Sequence, residues 1–212
     1  MQADFWHQKW DKNEIGFHEA EANKLLRQSI HYLQLMMGAR VFLPLCGKTR
    51  DIHWLLAQGY RVAGAELSAV AIDALFNDLK LSPTIEKRGE LVHYSADRID
   101  IFVGDIFALD QHLLGTVDAI YDRAALVALP ENMRREYTQH IISISRLAKQ
   151  LVITFEYDQQ LRQGPPFSIG RALMEQYYQS TYTIEPIASE SVVGGLGATT
   201  PTTEHAWGLI LP

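Results

Sequence analysis

Two residues 19 positions apart frame the chemistry this chain could carry: Gly47, just past an apolar run of strand length (residues 40–45), and Glu66, at the tip of a second such run (residues 60–66). A helical stretch, residues 49–58, lies between them and stops at Gly59. A glycine in the first turn of a β-turn-α-β unit lets a ligand approach the backbone, and an acid ending the second strand accepts hydrogen bonds from ribose hydroxyls. The observed spacing is close to the roughly 20 residues expected for such a pair. The unit is therefore expected to bind a nucleoside-bearing cofactor.

The turn itself narrows the class. A bound pyrophosphate requires Gly-x-Gly-x-x-Gly, whereas Pro44-Leu45-Cys46-Gly47-Lys48 has one glycine between bulky neighbours. Gly47-Lys48-Thr49 copies the last three letters of a P-loop, but the earlier glycine is missing. A cofactor with ribose and adenine and no bound pyrophosphate fits, and S-adenosyl-L-methionine is such a molecule. Other strand ends expected at the same edge are Leu45–Gly47, Asp105–Ile106 and Asp122–Arg123. Asp105 and Asp122 also suit helix capping, a common duty of Asp at a strand-to-helix junction. His18 and Asp122 are the titratable groups to test as proton acceptors.

The elements that must position these residues follow from hydrophobic period and punctuation. Helical spacing over residues 19–37 ends at Gly38; Ser68 is a plausible N-cap for a helix carrying Ile72, Leu75, Phe76 and Leu79. Residues 91–95 and 99–104 read as a hairpin whose second arm is the third core strand. A strand at 117–122, a helix opened by Pro130 with an apolar face reaching Ala148, and a strand at 151–157 come next. A stiff Gly-Pro-Pro loop, a short helix at 172–179 and strands near 182–192 and 204–211 complete the chain. Gly194–Thr203 forms a Gly- and Thr-rich loop between the last two strands. Alternation of strands and helices predicts a doubly wound, Rossmann-like α/β fold. A seven-stranded, mostly parallel sheet with helices on both faces is expected, in one domain over residues 1–212.

Totals agree with that fold and exclude other classes. The 212 residues suit one α/β domain, and 47% hydrophobic against 21% charged residues supplies a core. A net charge of −6 (19 − 25) argues against a nucleic-acid surface, which needs clustered cations. One cysteine rules out an internal disulfide framework, and Cys46 in its tight turn reads as a buried filler. The eight histidines lack ligand spacing, so no metal is expected. With neither a signal-like N-terminus nor a membrane-length apolar run, a soluble cytoplasmic protein, not membrane-bound, is expected. Residues 1–18 hold Phe5, Trp6, Trp10 and Phe17, an aromatic load that suits either a docked helix or a lid over the ligand site.

The wording of the motifs then resembles one family. Phe42-Leu-Pro-Leu-Cys-Gly-Lys48, Trp6-His-Gln-Lys-Trp10 with Phe17-His18, Val62–Glu66, Tyr121-Asp-Arg123 with the run to Ala128, and Gly164-Pro-Pro-Phe167 are similar, in order and spacing, to the thiopurine S-methyltransferases. These form a branch of the class I S-adenosylmethionine-dependent methyltransferases, and the length is similar to that of bacterial members. The resemblance implies that Trp10, Leu45, Glu66, Ile106 and Arg123 hold the cofactor, that Phe17 faces the acceptor, and that residues 1–18 form a lid. It implies a monomeric enzyme that methylates sulfur on aromatic or heterocyclic thiols, thiopurines among them, with selenium or tellurium species as further acceptors. Two other readings stay open: a nicotinamide-dependent oxidoreductase on a related fold, and a non-catalytic nucleoside-binding protein.

Overall fold

The computed structural model describes residues 3–12, 19–197 and 199–212. The elements are α1 (Ala3–Asp11), α2 (Lys24–Ser29), β1 (Arg40–Pro44), α3 (Arg50–Ala57), β2 (Arg61–Glu66), α4 (Ala69–Leu79), β3 (Thr84–Arg88), β4 (Leu91–Ala96), β5 (Ile99–Val103), α5 (Gln111–Leu114), β6 (Ala119–Arg123), α6 (Glu131–Ile144), β7 (Lys149–Glu156), α7 (Arg171–Tyr178), β8 (Thr183–Ser191) and β9 (Thr203–Ile210). Short 3-10 turns occupy Ile30–Leu33, Ile106–Ala108 and Leu126–Ala128. No helix among the described residues is long and apolar enough to cross a membrane.

One sheet runs in the order β3-β4-β5-β2-β1-β6-β7-β9-β8. Among the described residues it has nine strands where seven were expected, because the hairpin β3–β4 continues the sheet beyond β5. All five residues of β3 are exposed, so the burial pattern on which a strand assignment relies is missing there. Nor is the sheet mostly parallel. Its central strands β5-β2-β1-β6-β7 pair in parallel, but the four outer pairings are antiparallel.

Alternation along the central strands divides the core into two layers. Val41, Leu43, Val62, Tyr121, Leu151 and Ile153 face α2, α3 and α4 through Leu25, Ile52, Leu55, Ile72 and Phe76. Phe42, Ala63, Ile120 and Val152 face α6 and α7 through Tyr137, Ile141, Met174 and Tyr178. Parallel strands covered on both faces read as continuous apolar runs, which explains why β1, β6 and β7 were legible.

Helix ends were set by caps. Ser68 Oγ accepts the Ala71 N–H and Thr49 Oγ1 the Asp51 N–H, so α4 and α3 begin where expected. The single helix expected over residues 19–37 is instead a six-residue α2 followed by a 3-10 turn. Asn23 starts it by accepting the Leu26 N–H, and the left-handed Gln34 (φ 45°) stops it. α6 ends at Ile144 rather than near Ala148, because Arg146 and Leu147 both adopt positive φ.

Candidate active site

The strand order reverses between β1 and β6, since the chain builds outward through β2 and β5 on one side and β7 on the other. A ligand on such a sheet lies at the carboxyl ends of the strands beside that reversal. Both turns there are strained in the same way: Leu45 after β1 and Ala124 after β6 are left-handed at φ 47° and 64°. An L-residue pays on the order of 1–2 kcal/mol for that conformation, and such strain clusters at ligand sites.

The turn after β1 is clamped from both sides. Glu66, at the end of β2 and only 6% exposed, accepts the Gly47 N–H at 2.7 Å and the Ser68 N–H at 2.9 Å. The acid predicted to hold a ribose thus also fixes the two turns that frame the cleft. Above them lies Trp10 of α1, itself buried: a Cβ on Gly47 would stand 2.9 Å from Trp10 Cζ2, and Gly47 has φ 50°. Glycine is required there twice over, by backbone conformation and by the indole. Trp10, Leu45 and Glu66 are therefore brought together around Gly47. Cys46 is buried beside them; burial, with the Glu66 charge adding to it, pushes its thiol well above the usual range, as suits a filler.

The turn after β5 lies at the same sheet edge, on the far side of β2 from β1. Ile106 is buried, and its carbonyl accepts a hydrogen bond from His140 Nε2 of α6 at 2.9 Å. Asp105 accepts the Phe107 N–H at 3.0 Å, the expected capping duty.

Arg123, at the end of β6, lies in a cluster of acids. Its guanidinium meets Glu19 Oε1 at 2.6 Å and Asp51 Oδ2 at 3.6 Å, and its Nε is buried without a partner. Asp51 also accepts the Asn23 N–H at 2.7 Å and the Tyr121 hydroxyl at 3.1 Å. Asn23 Nδ2 in turn donates to Glu204 of β9 at 3.1 Å. Burial opposes the Arg123 charge, but Tyr121, Asp51, Glu19 and Glu204 outweigh it and raise its pKa. Glu204 is pushed up to about 7, chiefly by burial, with Arg123 pulling the other way and Glu19 adding to the rise. Residues 45–51 link the two halves of the cleft: Gly47 is held by Glu66, and Asp51 holds Arg123.

Asp51, Glu204 and Asn23 were not singled out by sequence. Their partners are 28, 70 and 181 positions away, beyond the reach of any local pattern. Glu19 was read only as the start of a helix. Phe17 and His18 lie outside the described residues.

Asp122 is a buried capping group. Its carboxylate accepts the Leu126 N–H at 3.1 Å and the Tyr137 hydroxyl at 2.7 Å, and it is 1% exposed. Burial raises its pKa to about 6, against the lowering effect of those hydrogen bonds. An unfolded Asp titrates near 3.8, so between about pH 4 and 6 the folded protein holds a proton that the unfolded chain has lost. This group therefore takes stability away as pH rises through that window, by roughly 2–3 kcal/mol. Asp122→Asn should abolish that slope. In urea titrations, its stability relative to wild type should improve by about 2 kcal/mol between pH 4 and 7; a constant difference would rule out a buried protonated carboxyl.

Comparison with known proteins identifies the family. The family model described as thiopurine S-methyltransferase matches residues 1–204. A thiopurine S-methyltransferase of Xanthobacter autotrophicus is 48% identical over 208 residues, covering 98% of both chains. That of Teredinibacter turnerae is 48% identical over 209 residues, covering 99% of this chain and 97% of its own. Among solved structures, a Burkholderia thailandensis 1,6-didemethyltoxoflavin N1-methyltransferase, with bound 1,6-didemethyltoxoflavin and S-adenosylhomocysteine, superposes with a TM-score of 0.67 at 15% identity. The superposition covers 98% of this chain and 86% of that one, and at this identity it speaks for the class I methyltransferase fold alone. With its family matched over almost its whole length and relatives close to half identical, the chain belongs to the thiopurine S-methyltransferase family.

Proposed function

We propose that this chain transfers the methyl group of S-adenosyl-L-methionine to the sulfur of an aromatic or heterocyclic thiol, thiopurines included. The family match over residues 1–204 carries this reading. The oxidoreductase and binding-protein alternatives have no comparable support, and the turn after β1 lacks the glycines a dinucleotide requires.

The residues present fit the cofactor. A carboxylate accepts about four hydrogen bonds, so the Glu66 that holds the Gly47 and Ser68 N–H groups can also take ribose hydroxyls. Arg123 offers a buried guanidinium with an unpartnered Nε to the methionine carboxylate. In the proposed complex Leu45 and Ile106 border the bound nucleoside, and Trp10, buried against Gly47, keeps water from it. On this reading α1 and the residues after it act as a lid, with Phe17 toward the acceptor. When bound, the cofactor supplies an already activated methyl on a sulfonium. The protein is then left to align nucleophile, methyl and leaving sulfur and to keep the cleft dry. No strong base is needed where the acceptor is already a thiolate. Selenium or tellurium species, being good nucleophiles, fall within the same chemistry. The acidic net charge and buried single cysteine suit a protein of a reducing compartment such as the cytoplasm, acting on small molecules.

Calorimetric titration with S-adenosylhomocysteine and with NAD tests the cofactor, and labelled methyl transfer to 6-mercaptopurine tests the acceptor. Tight NAD binding with none of the nucleoside thioether, or no transfer to any aromatic thiol or chalcogen oxyanion, would overturn the proposal.

A further inference from the structure

Two loops rise together from the carboxyl edge of the sheet beyond Arg123. One joins β7 to α7 and the other joins β8 to β9; their roots are adjacent, because Glu156 pairs with Thr203 across β7 and β9. The first is well tied. Gln159 accepts the Ser168 N–H at 2.8 Å and donates to the Tyr157 hydroxyl at 3.2 Å, while Tyr157 donates to the Pro166 carbonyl at 2.5 Å. The Phe167 N–H donates to the Val127 carbonyl at 2.6 Å, which anchors the loop on the 3-10 turn that directly follows Arg123. Arg134 covers the Phe167 ring at 4.8 Å and donates to the Leu129 carbonyl, so that cation is already used.

Arg162 is different. It is half-buried and leans from the first loop against the second, where a Cβ on Gly197 would stand 2.9 Å from its Nη1. Its Nε is buried without a partner, and among the described residues no carboxylate forms an ion pair with it. A guanidinium is a planar fork of five donors and stays charged at any ordinary pH. Holding one half-buried and unpaired is costly unless an anion completes it. Next to it in the chain, Leu161 is an exposed apolar side chain at 62%, and the neighbouring loop carries the fully exposed Val193. A charged fork with an apolar group next to it suits a flat aromatic molecule that carries an acid group.

We propose that Arg162 is a specificity-determining residue that selects acceptors bearing a carboxylate on the aromatic ring. It receives the carboxylate while Leu161 lies along the ring, and it takes no part in the methyl transfer. This rests on the methyltransferase reading above. It is separable from that reading, because Arg162 governs the choice among thiols and not whether a thiol is methylated.

The test compares 4-mercaptobenzoate with thiophenol in wild type, Arg162→Gln and Arg162→Lys. The ratio of kcat/KM for the acid over the uncharged thiol should fall by about tenfold or more in Arg162→Gln, mainly through KM, as expected when one charged recognition contact is lost. Arg162→Lys should recover part of it. An unchanged ratio in a folded Arg162→Gln would overturn the inference, whereas absence of turnover with either thiol in wild type would count against the methyltransferase reading. In that event, calorimetry of 4-(methylthio)benzoate binding to the S-adenosylhomocysteine-saturated protein still decides. Weaker binding by about tenfold in Arg162→Gln supports the role, and equal binding removes it.

Discussion

Replacing Arg123 by methionine should unfold much of the protein's margin of stability at neutral pH, by about 3–5 kcal/mol, and do far less damage at pH 5. Methionine keeps the side chain's bulk but removes the one cation that, among the described residues, faces Glu19, Asp51 and Glu204. Breaking such a cluster from one side costs more than the pair contributed, because Asp51 and Glu204 stay buried without compensation, while Glu19 is solvated. The sign with pH follows from the acids. Glu204 already stands at about 7 with the cation present, and without Arg123 its tendency to bind a proton when folded grows stronger still. Lowering the pH protonates Glu204 in the folded state first, so the variant recovers stability relative to wild type on acidification. Urea titrations at pH 7 and pH 5 read the difference; a loss equal at both values would mean that Arg123 contributes by packing alone. Arg123→Lys keeps a charge but offers no fork to span Glu19 and Asp51 and still reach a ligand. It should fold and bind S-adenosylhomocysteine at least about tenfold more weakly, as expected for a charged hydrogen bond worth about 1.5–3 kcal/mol.

The second large effect is expected at Glu66, where alanine should act on binding and stability together. Cofactor affinity should drop by about tenfold or more, since charged hydrogen bonds contribute about 1.5–3 kcal/mol. The same change leaves the Gly47 and Ser68 N–H groups without their acceptor, and an orphaned buried donor costs about 1–3 kcal/mol. Glu66→Gln separates the two. Its amide oxygen can still serve one of the two N–H groups, but its NH2 faces the other, so part of the structural loss remains while the charge is gone. Calorimetry with S-adenosylhomocysteine and thermal melts of both variants provide the measurements. Unchanged affinity in Glu66→Ala would take this residue out of the cofactor site. Unchanged stability would show that the turns hold themselves.

How much of this was legible beforehand depends on how far apart the partners lie in the chain. The β1-α3-β2 unit could be read because each signal sits within a few residues of what it controls. Thr49 and Ser68 cap their own helices, Gly47 occupies its own left-handed turn, and parallel strands covered on both faces announce themselves as apolar runs. The absence of further glycines near Gly47 was just as local, and it pointed away from a pyrophosphate. Family identity was legible for a related reason: motifs in fixed order record the same local requirements.

Tertiary structure alone decided the rest. The edge strand β3 could not be recognised from burial, because none of its residues is buried. Leu45 and Ala124 gave no hint of left-handed backbone, since only their surroundings force an L-residue to accept it. Above all, the acids around Arg123 come from a loop near residue 19, the start of α3 and the head of β9, segments far apart in sequence that meet at one sheet edge. The sequence by itself determined which residues end the strands, and from that the class of ligand. Which charges those residues must face, and that Glu66 holds the backbone of the turns after β1 and β2, follow only when the sheet order brings distant chain segments together. Electrostatic and hydrogen-bond partners are chosen by distance in space, and no local period records them.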